Sequence, residues 1–486
     1  MTKFGRHIFK PCVDWLLKSV PVISPFGRSA LKKTVEEPEA DLSHLRSVLH
    51  ELEKVVAFFA KDTSLFHAAA DVFAGFRDIR GTLANIELKQ ILDEVELFEV
   101  KTFALQMEKL AAIYNDSGLK LKNLKFVSLE KVVKLLNPDE LTTSSFYLHS
   151  DYSQGLANIR QQKNEIEKRM AATDDQQTVS ELRKERSQIV AGEKQEEYKA
   201  RLWLSEQLQR FHKDLCHNMI AAGQLELVMA KAILARRWPA CKPEFSDKLN
   251  FADIKLKEGI NPEISEVLEA RGKKFTPVTI DLQKGVTVLT GANMGGKTVA
   301  LKTVAFNAQL ARLGFYAFAE QMHLPLLDFI CVVGGDGQDQ LAGLSSFGAE
   351  ILGFSHTVKL FARGTGLVVF DEFARSTNPF EGSRFVLALC RFLQTQQVYG
   401  LIATHYDGVN LAGASYYQVM GLKQHDLQTT KIEDDPEKLL ERLCQNMDYR
   451  LQKIDQNYQV PRDALHIARL LQTDESFLAI LQKYYE

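Results

Sequence analysis

Apolar residues recur at three- and four-residue intervals through the first half of the chain. In LSHLRSVLHELEKVVAFFAKD and ELKQILDEVELFEVKTFALQMEKLAAIY they fall at i, i+3, i+4 and i+7, with glycine and proline sparse. That period puts them on one helical face and predicts helices over residues 36–150. Residues 151–210 keep the period but thin the stripe. Leu156, Ile159, Ile166 and Met170 follow a heptad-like spacing, as do Val179, Leu182 and Ile189, and Ala-Thr-Asp-Asp between the runs is a turn and cap signal. A helical hairpin with a narrow apolar seam is expected, each arm of about 20 residues reaching roughly 30 Å. Helical pattern returns over 211–245. Near 246 the texture changes to short β-like runs such as PVTIDL and GVTVLTG, alternating with helical runs to about 408. That alternation predicts an α/β layer. Beyond 410, YYQVMGL and DYRLQKI read as edge strands on either side of the charged residues 423–447, and DALHIARLLQ with SFLAILQKYYE as a closing helical pair. No repeat of fixed period appears.

Composition narrows the class. A chain of 486 residues, 45% hydrophobic and 25% charged, is ordinary globular material of about two to four domains. It is neither wholly disordered nor a small scaffold in need of staples. Lys+Arg total 60 against Asp+Glu 62, a net charge of −2, so any contact with nucleic acid is local or gated. The hairpin is charge-balanced, which favours a rigid lever or partner-docking coiled coil over a DNA-gripping one. Cys12, Cys216, Cys241, Cys331, Cys390 and Cys444 lie far apart with no C-x-x-C pair. Neither zinc site nor disulfide framework is indicated, and a cytoplasmic location fits best. The opening MTKFGRHIFKPCVDWLLKSV is basic, with an apolar patch interrupted by Asp14 and Lys18 and no small-residue cleavage site. No uncharged apolar stretch reaches ~18 residues, so no membrane span is expected. Residues 1–35, where Asp14 is the one acid among many lysines and arginines, read as a solvated basic arm.

The strongest chemical signal is Gly291-Ala-Asn293-Met-Gly295-Gly296-Lys297-Thr298, a full match to G-x-x-x-x-G-K-[ST] between an apolar strand, Val286 to Leu289, and the helical run VALKTVAFNAQLA. Glycines let backbone N–H groups close round phosphate oxygens, and the helix start adds a favourable dipole. Lys297 is expected to reach the β- and γ-phosphates of ATP and Thr298 to hold Mg²⁺. Leu367-Val-Val-Phe-Asp371-Glu372 is a buried strand ending in two acids, a Walker B pattern. Asp371 is the expected Mg²⁺ ligand, and Glu372 the group that orients or deprotonates water. A third strand ends in Thr404-His405, with His405 placed to sense the γ-phosphate. The loop Gly334 to Phe347, carrying Ser345 and Ser346, precedes another helical run. A second phosphate-ready helix start points to a site completed across a dimer.

Taken together, TGANMGGKT, LSSF, DEFARSTNPFEG and ATHY resemble the MutS mismatch-repair family, a branch of the ABC ATPase superfamily. The similarity is strong from about 255 to 410 and weaker from about 24 to 250, where SPFGRSALKK and FRDIRGTLANIE look like the entry to the MutS core. With the basic arm over 1–35 and the hairpin at about 151–210 read from charge and spacing, the resemblance implies a helical core and lever domain over 36–245 and an ABC-type P-loop α/β ATPase domain with a C-terminal helical dimerisation segment over 246–486. It implies that Gly291, Asn293, Gly295, Gly296, Lys297 and Thr298 cradle ATP, that Thr298 and Asp371 hold Mg²⁺, and that Glu372, His405 and Lys297 act in hydrolysis. Ser345 matches the serine that reaches the nucleotide of the opposite subunit. Arg375 and Thr377 match the loop where subunits meet. A homodimer, or a heterodimer with a paralogue, follows.

The pattern also departs from the family. Mismatch-recognition and connector domains are expected to be missing, Leu344 stands where mismatch-repair members carry Arg, and VALKTVA looks closer to the second MutS branch. Action on duplex or branched DNA without mismatch reading is the implied function. The alternative is ATP-dependent remodelling of a protein client, such as reactivation of an adenosylcobalamin-dependent amino-acid aminomutase.

Overall fold

The computed structural model describes residues 8–138, 148–247, 253–291, 296–334, 346–406, 409–422, 447–455, 468 and 473–484. A helical N-terminal region is followed by an α/β mixed-sheet domain. The helices of the first part are α1 (Lys10–Ser19), α2 (Pro25–Glu36), α3 (Leu42–Lys61), α4 (Ser64–Gly75), α5 (Arg80–Glu87), α6 (Glu94–Asp116), α7 (Glu130–Leu136), α8 (Gln154–Ala171), α9 (Gln176–Gln209) and α10 (His212–Arg237). The chain forms two compact units, one of Met1–Pro21, Lys33–Val56 and Lys231–Glu486, the other of Val22–Lys32 and Ala57–Ala230. These divisions differ from those expected at 35 and 245.

In the helical unit, sequence and local structure agree closely. Asp93 caps α6 by accepting from the Glu96 amide, Glu96 answers in a capping box, and Leu97, Val100, Phe103, Ala104, Met107 and Leu110 bury one face. Phe26, Phe76 and Phe103 form a ring cluster with centroids 5.2–5.7 Å apart. Glu226 of α10 is buried and accepts from Ser24 N at 2.9 Å, and also from the Ile23 amide and the Ser24 hydroxyl. A Cβ at Gly27 would meet that carboxylate at 2.2 Å, which accounts for glycine in SPFGR.

The hairpin is α8 and α9. Ser153 caps the first by accepting from Leu156 N, and Asp175 the second by accepting from Thr178 N. The seam is thin, with Leu156, Ile166 and Leu182 buried. Its charge balance has a structural cause. Arg160 lies 3.2 Å from both Glu193 and Glu197, Lys163 2.5 Å from Glu193, and Arg186 2.8 Å from Glu167. The two arms neutralise each other across the seam. One 18-residue window of α10 is apolar enough to cross a membrane by length and composition, and 67% of it is buried within the fold, as in a core helix.

The N-terminal arm is corrected over its first helix. α1 buries Cys12, Val13, Trp15 and Leu16. Trp15 packs edge-on against Phe306 and Phe318 at 5.4 and 5.7 Å between ring centroids. The basic residues occupy the opposite face, with Lys10 and Lys18 exposed. Residues 1–7 lie outside those described.

The rest of the α/β unit comprises β1 (Glu244–Ser246), β2 (Ile254–Gly259), α11 (Pro262–Glu269), β3 (Val278–Leu282), β4 (Gly285–Thr290), α12 (Lys297–Arg312), β5 (Gln321–Pro325), β6 (Phe329–Gly334), α13 (Ser346–Leu360), β7 (Gly366–Asp371), α14 (Pro379–Gln394), β8 (Val398–Ala403), β9 (Ser415–Leu422), β10 (Met447–Ile454) and α15 (Glu475–Gln482). A four-stranded sheet runs β1-β5-β2-β3, and a six-stranded sheet runs β10-β9-β4-β8-β7-β6. In the larger sheet every pair is parallel except β10 with β9. β4, β7 and β8 are buried at every position, as strands covered on both faces require. β10 is an edge strand, as expected. β9 is not, since it pairs with β4 as well as β10. Of the closing helical pair, SFLAILQ lies in α15, and the first partner falls outside the described residues apart from position 468.

Candidate functional site

Parallel pairing brings the carboxyl ends of β4, β8 and β7 side by side, and the predicted residues emerge there. β4 ends at Thr290. Gly291 has φ 136 and Gly296 φ 78, both in the region that favours glycine. A Cβ at Gly291 would meet the Val419 side chain at 3.3 Å, and one at Gly296 the Tyr449 ring at 3.0 Å. Gly296 opens directly into α12, whose first residue is Lys297. The Lys297 side chain is buried; Nζ donates to the Gly291 carbonyl at 2.7 Å and lies 3.6 Å from Glu372 Oε1. Burial lowers the pKa of this ammonium, opposed by the Glu372 and Asp371 carboxylates. Asn293 and Gly295 lie outside the described residues, as does Ser345.

β7 ends at Asp371. Its Oδ1 accepts from Thr298 Oγ1 at 3.0 Å. Burial pushes the Asp371 carboxyl above the ordinary range, a shift the Thr298 hydrogen bond opposes. A Cβ at Gly334 would stand 2.3 Å from the Asp371 carbonyl, so glycine at the end of β6 permits that close approach. Glu372 turns out of the strand at φ 53, with its N–H donating to Ala403 O at 3.1 Å. Arg375 Nη1 pairs with Glu372 Oε2 at 2.9 Å.

β8 delivers the third group. Thr404 N donates to Leu289 O at 3.0 Å, tying the end of β8 to that of β4. The Tyr406 amide donates to Thr404 Oγ1 at 3.1 Å, and the ring of His405 lies 4.4 Å from that of Tyr406. His405 Nδ1 is buried and has no hydrogen-bond partner among the described residues. Burial lowers the pKa of His405, the Glu372 carboxylate opposes that, and the Lys297 and Arg375 cations add to it. Burial thus favours the neutral imidazole.

Thus Lys297, Thr298, Asp371, Glu372 and His405 share one end of one sheet. The donor set suits a Mg²⁺–nucleotide. A buried carboxylate and a hydroxyl offer hard oxygen ligands, and Mg²⁺ bound with phosphates takes only one or two protein carboxylates. Among the described residues no cluster of three or more His, Cys, Asp or Glu could hold a metal alone. Two residues of this region were not singled out from the sequence. Glu350 of α13 accepts from Ala374 N at 2.5 Å, and Tyr406 Oη donates to Ala374 O at 2.9 Å. An acid inside the apolar run GAEILGF was the available signal for Glu350.

Residues 287–459 match the family described as MutS domain V, from within β4 through β10. The chain thus carries this domain, and the matched span includes Lys297, Thr298, Asp371, Glu372 and His405. It is similar to endonuclease MutS2 of Lactobacillus gasseri, 31% identical over 245 residues, which are 49% of this chain and 29% of that protein. It is similar to DNA mismatch repair protein MutS of Thermus aquaticus, 30% identical over 191 residues, 39% of this chain and 22% of the relative. MutS of Staphylococcus aureus is 25% identical over 228 residues, 46% of this chain and 26% of the relative. The matched parts span less than a third of the length of these relatives.

Proposed function

We propose that this chain is a MutS-related ATPase that binds and hydrolyses ATP at the β4–β7–β8 end of its larger sheet and uses the cycle to move a clamp or lever on DNA. The observation that carries the reading is the convergence of Lys297 on Glu372 at 3.6 Å and of Thr298 on Asp371 at 3.0 Å, at the start of one helix.

Each side chain has a task in that reading. Lys297 exchanges the Gly291 carbonyl for phosphate oxygens and carries charge to them. Thr298 and Asp371 hold Mg²⁺, which neutralises phosphate charge when bound. Glu372 orients a water and accepts its proton. His405 offers Nδ1, which has no hydrogen-bond partner among the described residues, to the γ-phosphate or to that water. Ser345 of a second copy, or of a paralogue, completes the site in a dimer. The similarity to a DNA mismatch repair protein and to an endonuclease supports DNA as the substrate of the movement.

The test is ATP turnover and DNA binding by the purified chain. Wild type is expected to hydrolyse ATP and Lys297→Ala to lose both turnover and tight nucleotide binding. Fluorescence anisotropy with labelled homoduplex and four-way DNA, across a salt series, should show nucleotide-dependent binding that weakens steeply with salt. ATP turnover with no DNA binding at low salt would reject DNA as the target and turn the search to a protein client. Absence of turnover in wild type would reject the ATPase reading itself.

A further inference from the structure

Ala374 is fully buried and sits at φ 62, two residues beyond Glu372 at φ 53. Neither residue has the freedom of glycine, so the turn is strained, and within it Arg375 N donates to Glu372 O at 3.1 Å and Thr377 N to Ala374 O at 3.3 Å. Both polar atoms of the Ala374 backbone are held. Its N–H donates to Glu350 Oε2 at 2.5 Å, and its carbonyl accepts from Tyr406 Oη at 2.9 Å. Glu350 Oε1 also accepts from Ser376 Oγ at 3.3 Å. Gly382 makes space for the phenol, since a Cβ there would lie 2.1 Å from Tyr406 Oη. Glu350 comes from α13 and Tyr406 from the segment after β8, so two separate elements grip one residue. The turn they grip begins with the acid facing Lys297. Were Ala374 to relax out of the left-handed region, the backbone carrying Glu372 would rotate with it.

We propose that Glu350 and Tyr406 are positioning residues that clamp the 372–376 turn and thereby aim the Glu372 carboxylate. The inference rests on the reading of Glu372 as the acid that acts on water. Glu350 serves as a hydrogen-bond acceptor and Tyr406 as a donor. Glu350→Gln keeps an amide oxygen for the Ala374 N–H, whereas Glu350→Ala removes it. Tyr406→Phe keeps the ring and removes the hydroxyl.

The experiment compares these three variants with wild type as full chains, by two readouts. One is hydrogen exchange in the peptide spanning 371–378, without nucleotide. The other is single-turnover ATP hydrolysis, with nucleotide affinity measured separately by a fluorescent ATP analogue. Glu350→Ala and Tyr406→Phe are expected to exchange about tenfold faster in that peptide. They should hydrolyse ATP about tenfold to a hundredfold more slowly, as displaced catalytic groups do. Nucleotide affinity should stay within about twofold, so that the loss falls on the chemical step. Glu350→Gln should restore both readouts to near wild type. Unchanged exchange in Glu350→Ala and Tyr406→Phe would show that the turn holds itself and would overturn the clamp. Faster exchange with unchanged hydrolysis would overturn the aiming of Glu372. Affinity falling in step with hydrolysis would overturn it too, as general damage to the site. If wild type fails to hydrolyse ATP, the proposed function fails, and the exchange readout still decides the clamp.

Discussion

Thr298 Oγ1 donates to Asp371 Oδ1 at 3.0 Å, joining the first turn of α12 to the end of β7 although β8 lies between β7 and β4 in the sheet. The bond spans the two parts of the chain that the P-loop and Walker B patterns mark separately. It also opposes the burial that pushes the Asp371 carboxyl up. A cation held by Thr298 and Asp371 would keep Asp371 ionised where burial alone disfavours it.

Asp371→Asn is therefore expected to keep the fold and lose magnesium dependence. An amide preserves an acceptor for Thr298 but carries no charge for a divalent ion. Titrating a fluorescent ATP analogue with and without Mg²⁺ checks this. Wild type should gain affinity or turnover with Mg²⁺, and the variant should gain little of either. An equal Mg²⁺ response in both proteins would remove Asp371 from the metal site.

Glu372→Gln separates binding from chemistry. Glu372 is held beside Lys297 and Arg375, so the amide fits the same space and loses basicity. ATP hydrolysis is expected to fall by about 10²–10⁴-fold, the span typical of a general base, with ATP still bound. Rapid-quench turnover and retention of labelled ATP on a filter measure the two quantities. Turnover within about threefold of wild type would assign the base elsewhere.

Lys231 gives a pH signature unconnected with nucleotide. Its ammonium is fully buried, donates to Leu313 O at 3.2 Å and Gly314 O at 3.0 Å, and lies 4.2 Å from the centre of the Phe315 ring. Burial lowers its pKa to about 7. An unfolded lysine titrates near 10.4, so between about 7 and 10 the unfolded chain holds a proton that the folded chain lacks. Its contribution to stability therefore rises with pH through that window. Burial raises the Cys241 thiol to about 11 and the Cys390 thiol to about 12, and these act in the opposite sense above their ordinary range. The difference between wild type and Lys231→Met is thus the quantity to follow, by urea denaturation at pH 7 and pH 9. Wild type should gain on the variant as pH rises. Parallel curves would show that Lys231 keeps its charge when folded.

What the sequence made legible was local. The P-loop, the Asp-Glu strand end and Thr404-His405 each combine a short motif with the strand that delivers it, and such context is written in neighbouring residues. The hairpin was legible for the same reason, through its heptad spacing and the turn and cap signal that ends at Asp175. Contacts between distant segments were not. The partners of Trp15 lie near 306 and 318, and the acceptor on Ala374 N comes from Glu350 on another helix. Charge counting showed the hairpin to be neutral, but pairing such as Arg160 with Glu193 appears only when the arms are side by side. The reach of Lys231 on α10 to the carbonyls of Leu313 and Gly314 is another such distant contact.

Trp15 is the sharpest test of the corrected N-terminal region. A solvated arm tolerates any substitution, whereas Trp15 is only 5% exposed and packs against Phe306 of α12 and Phe318. Removing the ring leaves a cavity in this packing, and Trp15→Ala should cost about 3–5 kcal/mol, the usual range for a buried aromatic. Trp15→Phe keeps an aromatic edge for both neighbours. It also removes Nε1, a buried donor without a hydrogen-bond partner among the described residues. That gain offsets part of the lost volume, so Trp15→Phe should cost less than about 1.5 kcal/mol. Chemical denaturation of the two variants measures both values. Because Phe306 belongs to the helix that Lys297 opens, the Ala variant should also weaken ATP binding, and the Phe variant should not. A Trp15→Ala protein as stable as wild type would return the segment to a solvated arm.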